Sequence, residues 1–398
     1  MSQVRALPRE RLAFGSCGVA PRGGRVRPDG MDESRDRPLS AVVLAAGHGT
    51  RMRSERPKPI HVLVGKPMVL WVLDALADCD VEQIAVVIGH GGDTVTKRIA
   101  EDAGDRPLEF VEQTVQRGTG DATAVGLTGL HDDWDEPHDV LVLTGDTPLL
   151  RPATIAALVA HHRESEAACT VLTARLPDPT GYGRIVRGRD DRVERIVEQA
   201  DTTPEEAEID EINTGIFCFR RSLLAPALRR IQPDNAQGEL YLTDVVAVLA
   251  EAGHRVTTLV ADDPDETHGI NDRVQLAAAE AALRQRINHG WMRAGVTLVD
   301  PDQTYVDATV ELGRDVTLYP GTMLRGACTI GEGAEVGPDA HLSDTVVGVR
   351  ARVAQTVADH ARIGDDAVVG PWAALGPGDE VPSGQVTGPH YAGPGAPR

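Results

Sequence analysis

Short apolar runs alternate with amphipathic stretches from residue 40 to about residue 270. Apolar runs of this length, bounded by polar turns, are typical of buried strands, and their alternation with helical patterns predicts a mostly parallel sheet covered on both faces. The predicted strands are 40–45, 84–88, 108–112, 139–144, 169–174 and 214–219, and the clearest predicted helices are 67–78 and 152–165. The pattern therefore predicts an α/β domain over residues 38–271.

An Ala-rich stretch at 272–295 predicts one helix that connects this domain to the next. Beyond it the apolar period changes to six residues, which indicates a parallel β-helix whose apolar positions point into a stacked core. The phased positions are Val306, Leu312, Leu318, Leu324, Ile330, Val336 and Leu342, and after a slip Val357, Ile363, Val369, Leu375 and Val381. The repeat region is predicted to be short, spanning 296–382, or about four coils of roughly eighteen residues each.

Both ends of the chain are rich in Gly and Pro and lack a periodic apolar pattern. We expect disorder at 1–37 and at 383–398. Because Met31 lies just before the first predicted strand, we expect it as an alternative start of the protein.

The charge of the chain bears on its partners. It has 398 residues, with 40 basic and 60 acidic side chains and a net charge near -20, which argues against general binding to nucleic acid or to an anionic membrane. Five scattered cysteines predict neither a disulfide framework nor a CxxC metal site, and no apolar run has the length of a membrane span. We expect a cytoplasmic protein that binds a small molecule.

The first predicted strand runs into LAAGHGTRMRSERPKPIHVLVGKPM, residues 44–68. Glycines at 47 and 49 let backbone N–H groups approach an anion, and cations follow to neutralise it. These cations are Arg51, Arg53, Lys58 and Lys66. The segment predicts a phosphate site at the carboxyl end of a strand.

Asp146 ends another apolar run, at a Gly-Asp turn. A carboxylate is costly to bury there unless it binds something, and Mg²⁺ prefers hard oxygen ligands. We therefore predict Asp146 as a Mg²⁺ ligand, with a simple turn former as the alternative.

The opening loop with its PK dipeptide resembles the sugar-phosphate nucleotidyltransferases, and further motifs narrow the resemblance. They are QRGTGDA (116–122), TGDTPLL (144–150), DPTGYGRI (178–185), IVEQ (196–199), EINTGI (211–216), NAQGELYLTD (235–244) and GINDRVQL (269–276). In this order they are similar to the bacterial family that is both N-acetylglucosamine-1-phosphate uridylyltransferase and glucosamine-1-phosphate N-acetyltransferase. The resemblance covers about 40–382 and implies a Rossmann-like nucleotidyltransferase domain followed by a left-handed parallel β-helix of hexapeptide repeats.

The resemblance implies in-line attack of N-acetylglucosamine-1-phosphate on the α-phosphorus of UTP, giving UDP-N-acetylglucosamine, a precursor of cell-wall peptidoglycan. It implies that Arg51 holds the distal phosphates, that Lys58 lies nearer the reacting centre, and that Asn271 is the second Mg²⁺ ligand, although Asn271 also suits a helix N-cap. The implied nucleotide-binding residues are Leu44, Ala45, Ala46, Gly47, Gly49, Thr50, Gln113, Gly118 and Thr119. The implied sugar-binding residues are Thr144, Tyr182, Gly183, Glu198, Asn213, Tyr241 and Thr243.

Four positions depart from the family pattern. Pro59 follows Lys58 where an aliphatic residue is usual, and its fixed φ predicts an altered lysine angle. Thr144 replaces a tyrosine and Gln199-Ala200 lacks a lysine, which leaves another sugar 1-phosphate as an alternative substrate. A non-catalytic scaffold is a further alternative.

Gly376 stands where the acetyltransferase half of the family carries the arginine of RLRPG. A Gly/Pro-rich tail then replaces the coils and the HLTY-like histidine segment that the family uses for acetyl-CoA. We therefore expect no acetyltransferase activity from this chain. The repeats are expected to form a homotrimer, as in the family, or to dock a partner.

Overall fold

The structure is a computed structural model that describes residues 37–47, 49–89, 92–104, 106–131 and 137–396. Its amino-terminal domain contains a nine-stranded sheet, a two-stranded hairpin and helices on both faces of the sheet. The strands are β1 (Leu39–Ala45), β2 (Val62–Leu63), β3 (Lys66–Pro67), β4 (Val81–Gly89), β5 (Leu108–Gln113), β6 (Asp139–Thr144), β7 (Cys169–Arg175), β8 (Arg184–Arg187), β9 (Val193–Val197), β10 (Glu211–Arg220) and β11 (Val256–Val260). The helices are α1 (Met68–Asp74), α2 (Asp93–Asp102), α3 (Thr119–Leu127), α4 (Pro152–Glu164), α5 (Pro204–Ala207), α6 (Arg221–Leu228) and α7 (Asp244–Glu251).

The main sheet has the strand order β11-β7-β10-β6-β1-β4-β5. Along this path the strands pair in parallel except β10, which runs antiparallel to both β6 and β7. Strands β8 and β9 lie off the path, where β8 pairs antiparallel with β10 and with β9. The central strands are uninterrupted apolar runs because helices bury both of their faces; Val42, Val86 and Leu141 are fully buried. The predicted α/β domain with a mostly parallel sheet is confirmed.

The register of the central strands places two polar loops side by side. Leu44 of β1 pairs with Thr144 of β6, and the N–H of Gly145 donates to the carbonyl of Leu44 at 2.8 Å. The glycine loop after β1 and the Gly145-Asp146 turn after β6 therefore leave the sheet together, at the edge where open α/β sheets bind ligands.

Helix α8 (Arg273–Arg293) leads out of the domain. Its N-cap is Asp272, whose carboxylate accepts hydrogen bonds from the backbone N–H groups of Val274 and Gln275. Its buried residues Leu283, Ile287 and Trp291 recur at four-residue spacing and form one apolar stripe. Among the described residues no helix is long and apolar enough to cross a membrane.

The carboxyl-terminal region is a coil of short strands stacked into three parallel five-stranded sheets, which fits a left-handed β-helix. One sheet contains Thr297–Leu298, Thr317–Leu318, Glu335–Val336, Arg352–Val353 and Val368–Val369. The second contains Tyr305–Val306, Met323–Arg325, His341–Ser343, Thr356–Asp359 and Ala373–Leu375, and the third contains Glu311–Leu312, Thr329–Ile330, Val346–Val347, Arg362–Ile363 and Glu380–Val381.

The six-residue period predicts the core of this β-helix with one error. Val357 was predicted to point inward but is 54% exposed, and the neighbouring Ala358 fills the core at 1% exposure. The buried positions Val347, Ala358 and Ile363 each follow the previous one by five residues rather than six. The turns of these coils are one residue shorter, and a one-residue shift moves a side chain to the other face of a strand.

The prediction of a disordered tail differs from the structure over residues 383–396. Val386 bridges Val368 and Ala392 bridges Ala374, both in parallel, so this segment continues the stack for most of another coil. Asp379 holds the segment, because its carboxylate accepts hydrogen bonds from the N–H groups of Gly376 at 2.8 Å and Gly395 at 2.7 Å. The predicted extension 1–37 lies outside the described residues except for Arg37, whose guanidinium is 3.6 Å from the Asp139 carboxylate.

The hairpin β2–β3 joins the two domains. The N–H of Val64 donates to the Glu280 carboxylate of α8 at 2.8 Å, and the carbonyl of Val64 accepts from the N–H of Ala308 in the β-helix at 3.0 Å. Leu63 and Val64 belong to the same apolar cluster as the β-helix core. The hairpin follows the Lys58 segment directly, so the residues immediately after that segment pack against the β-helix.

Candidate active site

A cleft of about 300 Å³ opens at the carboxyl ends of β1 and β6. Its lining is Leu44, Ala45, Ala46, Gly47, Lys58, Pro59, Gln113, Gln116, Gly118, Thr119, Ala122, Thr144, Gly145, Asp146 and Glu239. A larger cavity of about 890 Å³ lies at the opposite ends of these strands, and none of the described residues that line it is a predicted site residue. The smaller cleft is the candidate site because it collects the predicted residues.

Two cations and two oxygen-bearing side chains meet at the edge of this cleft. The Lys58 ammonium contacts the Asp146 carboxylate and donates to the Asn271 amide oxygen at 3.1 Å. The Arg51 guanidinium donates to the same Asn271 oxygen at 2.9 Å. These four residues are among the predicted phosphate and metal groups, and the fold brings them together although Asn271 is far from the others in sequence. Of the other predicted cations, Lys66 contacts the Asp74 carboxylate instead.

The local backbone explains how Lys58 reaches this position. Gly49 has φ 57°, and a Cβ there would lie 2.7 Å from the Cβ of Lys58, so glycine lets the loop fold back over the lysine. Lys58 begins a 3-10 helix, Lys58–Ile60, in which Pro59 occupies the first turn. A proline fits this turn because its missing N–H has no partner there. From this turn the Lys58 side chain reaches both Asp146 and Asn271.

The donor set at Asp146 and Asn271 suits Mg²⁺. Both side chains direct an oxygen to one positive charge, the Lys58 ammonium, so the pair already surrounds a cation. The carbonyl of Asp146 also accepts from the N–H of Ile270 at 2.9 Å, which fixes the two segments against each other. Mg²⁺ is usually bound by one or two protein oxygens together with substrate phosphates, which this arrangement fits.

Gln113 lies on the opposite wall of the cleft and is 4% exposed. Its amide nitrogen donates to the Asp121 carboxylate at 2.8 Å and faces the Gly118 carbonyl at 3.4 Å. An ionised carboxylate and a carbonyl only accept hydrogen bonds, so both fix the direction of the amide. The Gln113 carbonyl oxygen is thereby left for a ligand that donates.

Backbone contacts tie this wall to the NAQGELYLTD segment. Gly118 has φ 108°, and a Cβ there would lie 2.5 Å from the carbonyl oxygen of Leu240, so the two chains approach closely because residue 118 has no side chain. The same Leu240 carbonyl accepts from the N–H of Gly120, and the Thr119 hydroxyl accepts from the N–H of Leu242 at 3.0 Å. The predicted base-reading and sugar-binding segments thus form one unit.

The predicted sugar residues form a polar group around Glu198. The Thr243 hydroxyl donates to the Glu198 carboxylate at 3.0 Å, and a Cβ on Gly183 would lie 3.3 Å from the other carboxylate oxygen. The N–H of Asn213 donates to the carbonyl of Gly183 at 2.8 Å. Burial raises the pKa of Glu198 above its ordinary value, and it raises the pKa of the nearby Tyr241 to about 12.

Two predicted sugar residues lie at the rim of this group. The ring of Tyr182 lies 6.3 Å from that of His268, measured between centroids. Thr144 ends β6, and its methyl group lies 3.0 Å from where a Cβ on Gly215 would be.

Sequence reasoning missed several residues of the site. Gln116, whose amide nitrogen contacts the Ala46 carbonyl, and Glu239 both line the cleft. Arg184 is 1% exposed and donates to the Tyr182 carbonyl and, at 3.0 Å, to the Gln199 side chain. An arginine inside the apolar end of GYGRI was the available signal, because a buried guanidinium needs partners.

Comparisons with known proteins identify the family of this chain. The MobA-like NTP transferase domain matches residues 41–241. The "Bifunctional protein GlmU" of Trichlorobacter lovleyi is 48% identical over 340 residues, which cover 85% of this chain and 73% of the relative. That of Streptomyces coelicolor is 49% identical over 346 residues (87% and 71%), and that of Mycolicibacterium vanbaalenii is 46% identical over 348 residues (87% and 70%).

The family match spans the glycine loop, the Gly145-Asp146 turn and the Gln113 wall of the cleft, and the alignment with the relatives extends through α8 into the β-helix. The chain therefore belongs to the bifunctional GlmU family and is a sugar-phosphate nucleotidyltransferase.

Proposed function

We propose that this chain is a Mg²⁺-dependent uridylyltransferase that forms UDP-N-acetylglucosamine and pyrophosphate from UTP and N-acetylglucosamine-1-phosphate. The observation that carries the proposal is the cluster of Lys58, Arg51, Asp146 and Asn271 beside a cleft whose other wall bears Gln113. Cations and metal-ligating oxygens at one end and a base-reading amide at the other suit a nucleoside triphosphate.

In this reaction a phosphate oxygen of the sugar 1-phosphate attacks the α-phosphorus of UTP. A new P–O bond forms, the bond to the β-phosphate oxygen breaks, and pyrophosphate leaves with its electron pair. Charge and positioning dominate such a barrier, so no covalent nucleophile is needed. Lys58 and Arg51 neutralise phosphate charge, and Mg²⁺ held by Asp146 and Asn271 would supply further positive charge at the phosphate oxygens.

The two walls of the cleft supply selectivity. The Gln113 carbonyl oxygen is oriented to accept from the N3–H of uracil, whereas cytosine presents an acceptor at that position. Glu198, Asn213 and Thr243 supply the carboxylate, amide and hydroxyl groups that pair with sugar hydroxyls and an acetamido group. These contacts support N-acetylglucosamine-1-phosphate as the second substrate.

Pyrophosphate release from combinations of UTP, dTTP and CTP with several sugar 1-phosphates tests the proposal. Release with UTP and N-acetylglucosamine-1-phosphate well above the other pairs is expected, and it should stop when EDTA removes the metal. A preference for another sugar 1-phosphate would favour a related transferase, and no release with any pair would favour a scaffold.

Variants of the cation cluster test the site itself. Lys58→Ala should lower kcat about 100-fold, because removing one preorganised donor to developing charge costs about 3 kcal/mol. Lys97→Ala is the matched control, since Lys97 is an exposed lysine on α2, and it should retain full activity. Full activity of Lys58→Ala would overturn the assignment of Lys58.

Three further properties belong to the proposal. We propose that the 398-residue chain does not acetylate glucosamine-1-phosphate, since Gly376 replaces the arginine expected there; acetyl-CoA-dependent thiol release above blank would contradict this. A homotrimer formed through the β-helix would be detected by light scattering. Cell fractionation would test a cytoplasmic location.

A further inference from the structure

Two segments of the chain carry the proposed metal ligands, and hydrogen bonds to one buried carboxylate link these segments. The first segment contains Asp146 and runs into the start of α4, and the second contains the 3-10 helix Pro264–Thr267 and ends at Asn271. Glu266 belongs to the second segment, contacts the first and is 2% exposed.

Both oxygens of Glu266 accept hydrogen bonds from the first segment. Oε2 accepts from the backbone N–H of Arg151 at 3.0 Å, and Oε1 accepts from the Thr154 hydroxyl at 2.8 Å. Arg151 and Thr154 form the N-cap and the first turn of α4, so the carboxylate also lies at the positive end of that helix. One side chain thereby satisfies a helix terminus and holds the two segments together.

Other contacts on either side of Glu266 show that the connection is continuous. The N–H of Ile270 donates to the carbonyl of Asp146 at 2.9 Å, next to the cleft. At the other end the Arg151 guanidinium pairs with the Asp263 carboxylate at 2.5 Å, and this pair is partly exposed. Arg286 of α8 donates to the Leu149 carbonyl at 3.0 Å. Within this set, Glu266 is the buried charged group that joins the two segments directly.

We propose that Glu266 is a positioning residue for the metal site, setting the position of Asn271 relative to Asp146 by holding their segments together. The inference rests on the proposed metal-dependent function. Groups that orient metal ligands without touching the ion typically change metal affinity 10- to 100-fold when removed. Glu266 is not among the residues that line the cleft, so its removal should weaken metal binding while leaving metal-free nucleotide binding unchanged.

Water-proton relaxation measures the inference directly, with Mn²⁺ as the probe and UTP present in the absence of sugar phosphate. The full chain should show the enhancement of a protein-bound Mn²⁺–UTP complex, and Asp146→Asn should lose it. Glu266→Ala should raise the dissociation constant of the metal 10- to 100-fold, and Glu266→Gln should raise it less because its amide oxygen still accepts one bond. Calorimetry with UTP and EDTA should give a dissociation constant of UTP for each Glu266 variant that is within twofold of the wild-type value.

Two more variants keep the test decisive. Asp263→Asn removes the exposed ion pair at the same junction and should change metal binding less than twofold. Thr154→Val removes one of the two hydrogen bonds at constant shape and should weaken metal binding several-fold even if Glu266→Ala fails to fold.

The outcomes separate the two proposals. An enhancement that does not depend on Asp146, or no enhancement in the wild type, overturns the metal-dependent function and the role of Glu266 with it. An Asp146-dependent enhancement that persists unchanged in Glu266→Gln and Thr154→Val overturns only the role of Glu266.

Discussion

The choice between uracil and cytosine is expected to depend on a residue that does not touch the base. The Asp121 carboxylate accepts a hydrogen bond from the Gln113 amide nitrogen at 2.8 Å, and the Gly118 carbonyl accepts one from the same nitrogen at 3.4 Å. If the amide turned over, its oxygen would face the Asp121 carboxylate and a donor would face the cleft. A hydrogen bond to a charged group contributes about 1.5–3 kcal/mol, so the inverted amide is populated about tenfold to 100-fold less.

Asp121→Asn removes this preference at nearly constant shape. Asparagine presents either an acceptor or a donor to Gln113, so both orientations of the Gln113 amide become comparable in free energy. The orientation that accepts from uracil N3–H then falls about twofold in population, while the one that donates to cytosine N3 rises about five- to 50-fold. The kcat/KM ratio of UTP to CTP should therefore fall by about ten- to 100-fold, mostly because CTP improves.

Pyrophosphate release with UTP and with CTP, each at several concentrations, measures this ratio. Asp191→Asn is the control, because Asp191 is exposed in a turn distant in sequence from the cleft lining and the change in charge is the same. A folded Asp121→Asn variant whose UTP to CTP ratio equals that of the wild type would refute the argument that Asp121 orients Gln113.

Three further outcomes are expected. Gly376→Ala should increase amide hydrogen exchange at 393–396 tenfold or more, because its Cβ would lie 1.5 Å from the Gly395 carbonyl oxygen and would separate Gly395 from Asp379. Glu380→Ala on the same coil is the control, and exchange in Gly376→Ala equal to that of the control would contradict this packing. Pro59→Ala should keep kcat within about twofold and lower stability by about 0.4–1 kcal/mol in thermal unfolding, since the ring fits its turn; a tenfold loss of kcat would show that the ring sets the lysine angle. Burial raises the pKa of Glu198, so the folded state loses stability as pH rises from the ordinary value of 4.5 through the higher folded pKa. Glu198→Gln removes this loss, so its Tm relative to the wild type should rise as the pH increases above 4.5; a constant Tm difference would mean that the pKa is not raised.

The sequence pattern predicted correctly the central strands of the sheet, which are buried on both faces. The strands β1 and β6 are continuous apolar runs between polar turns, because both faces of a central parallel strand are covered. The six-residue period predicted the buried positions of the β-helix correctly up to the coils with shorter turns. There the predicted position was wrong by one residue, so that Ala358 is buried in place of Val357. A period detects a regular repeat and does not detect a change in turn length.

The remaining parts of the site depend on contacts between distant residues. Asn271 was placed by resemblance alone, since nothing in its neighbourhood in sequence points to Asp146 or Lys58. Asp121 and Glu266 both read as ordinary acidic residues of a helix start or turn, and their partners Gln113 and Thr154 identify them only in the folded chain. The tail at 383–396 has the composition of a disordered segment. Backbone groups nevertheless pair it with the preceding coil, as the N–H of Thr387 does with the Val368 carbonyl and the N–H of Gly393 with the Ala374 carbonyl, and every residue type except proline supplies both backbone groups.

The hairpin after Lys58 determines where this protein can be divided. A chain cut at residue 271, the boundary that the sequence pattern suggests, would lose α8 and the β-helix and leave Leu63, Val64 and Met68 facing water. Uncovering apolar side chains of this size costs about 1.5–3 kcal/mol each, and the hairpin would be free to shift beside the loop that carries the lysine. A transferase domain produced alone, or joined to the β-helix of a relative, should therefore keep its own α8 and first β-helix coil, because these cover the hairpin.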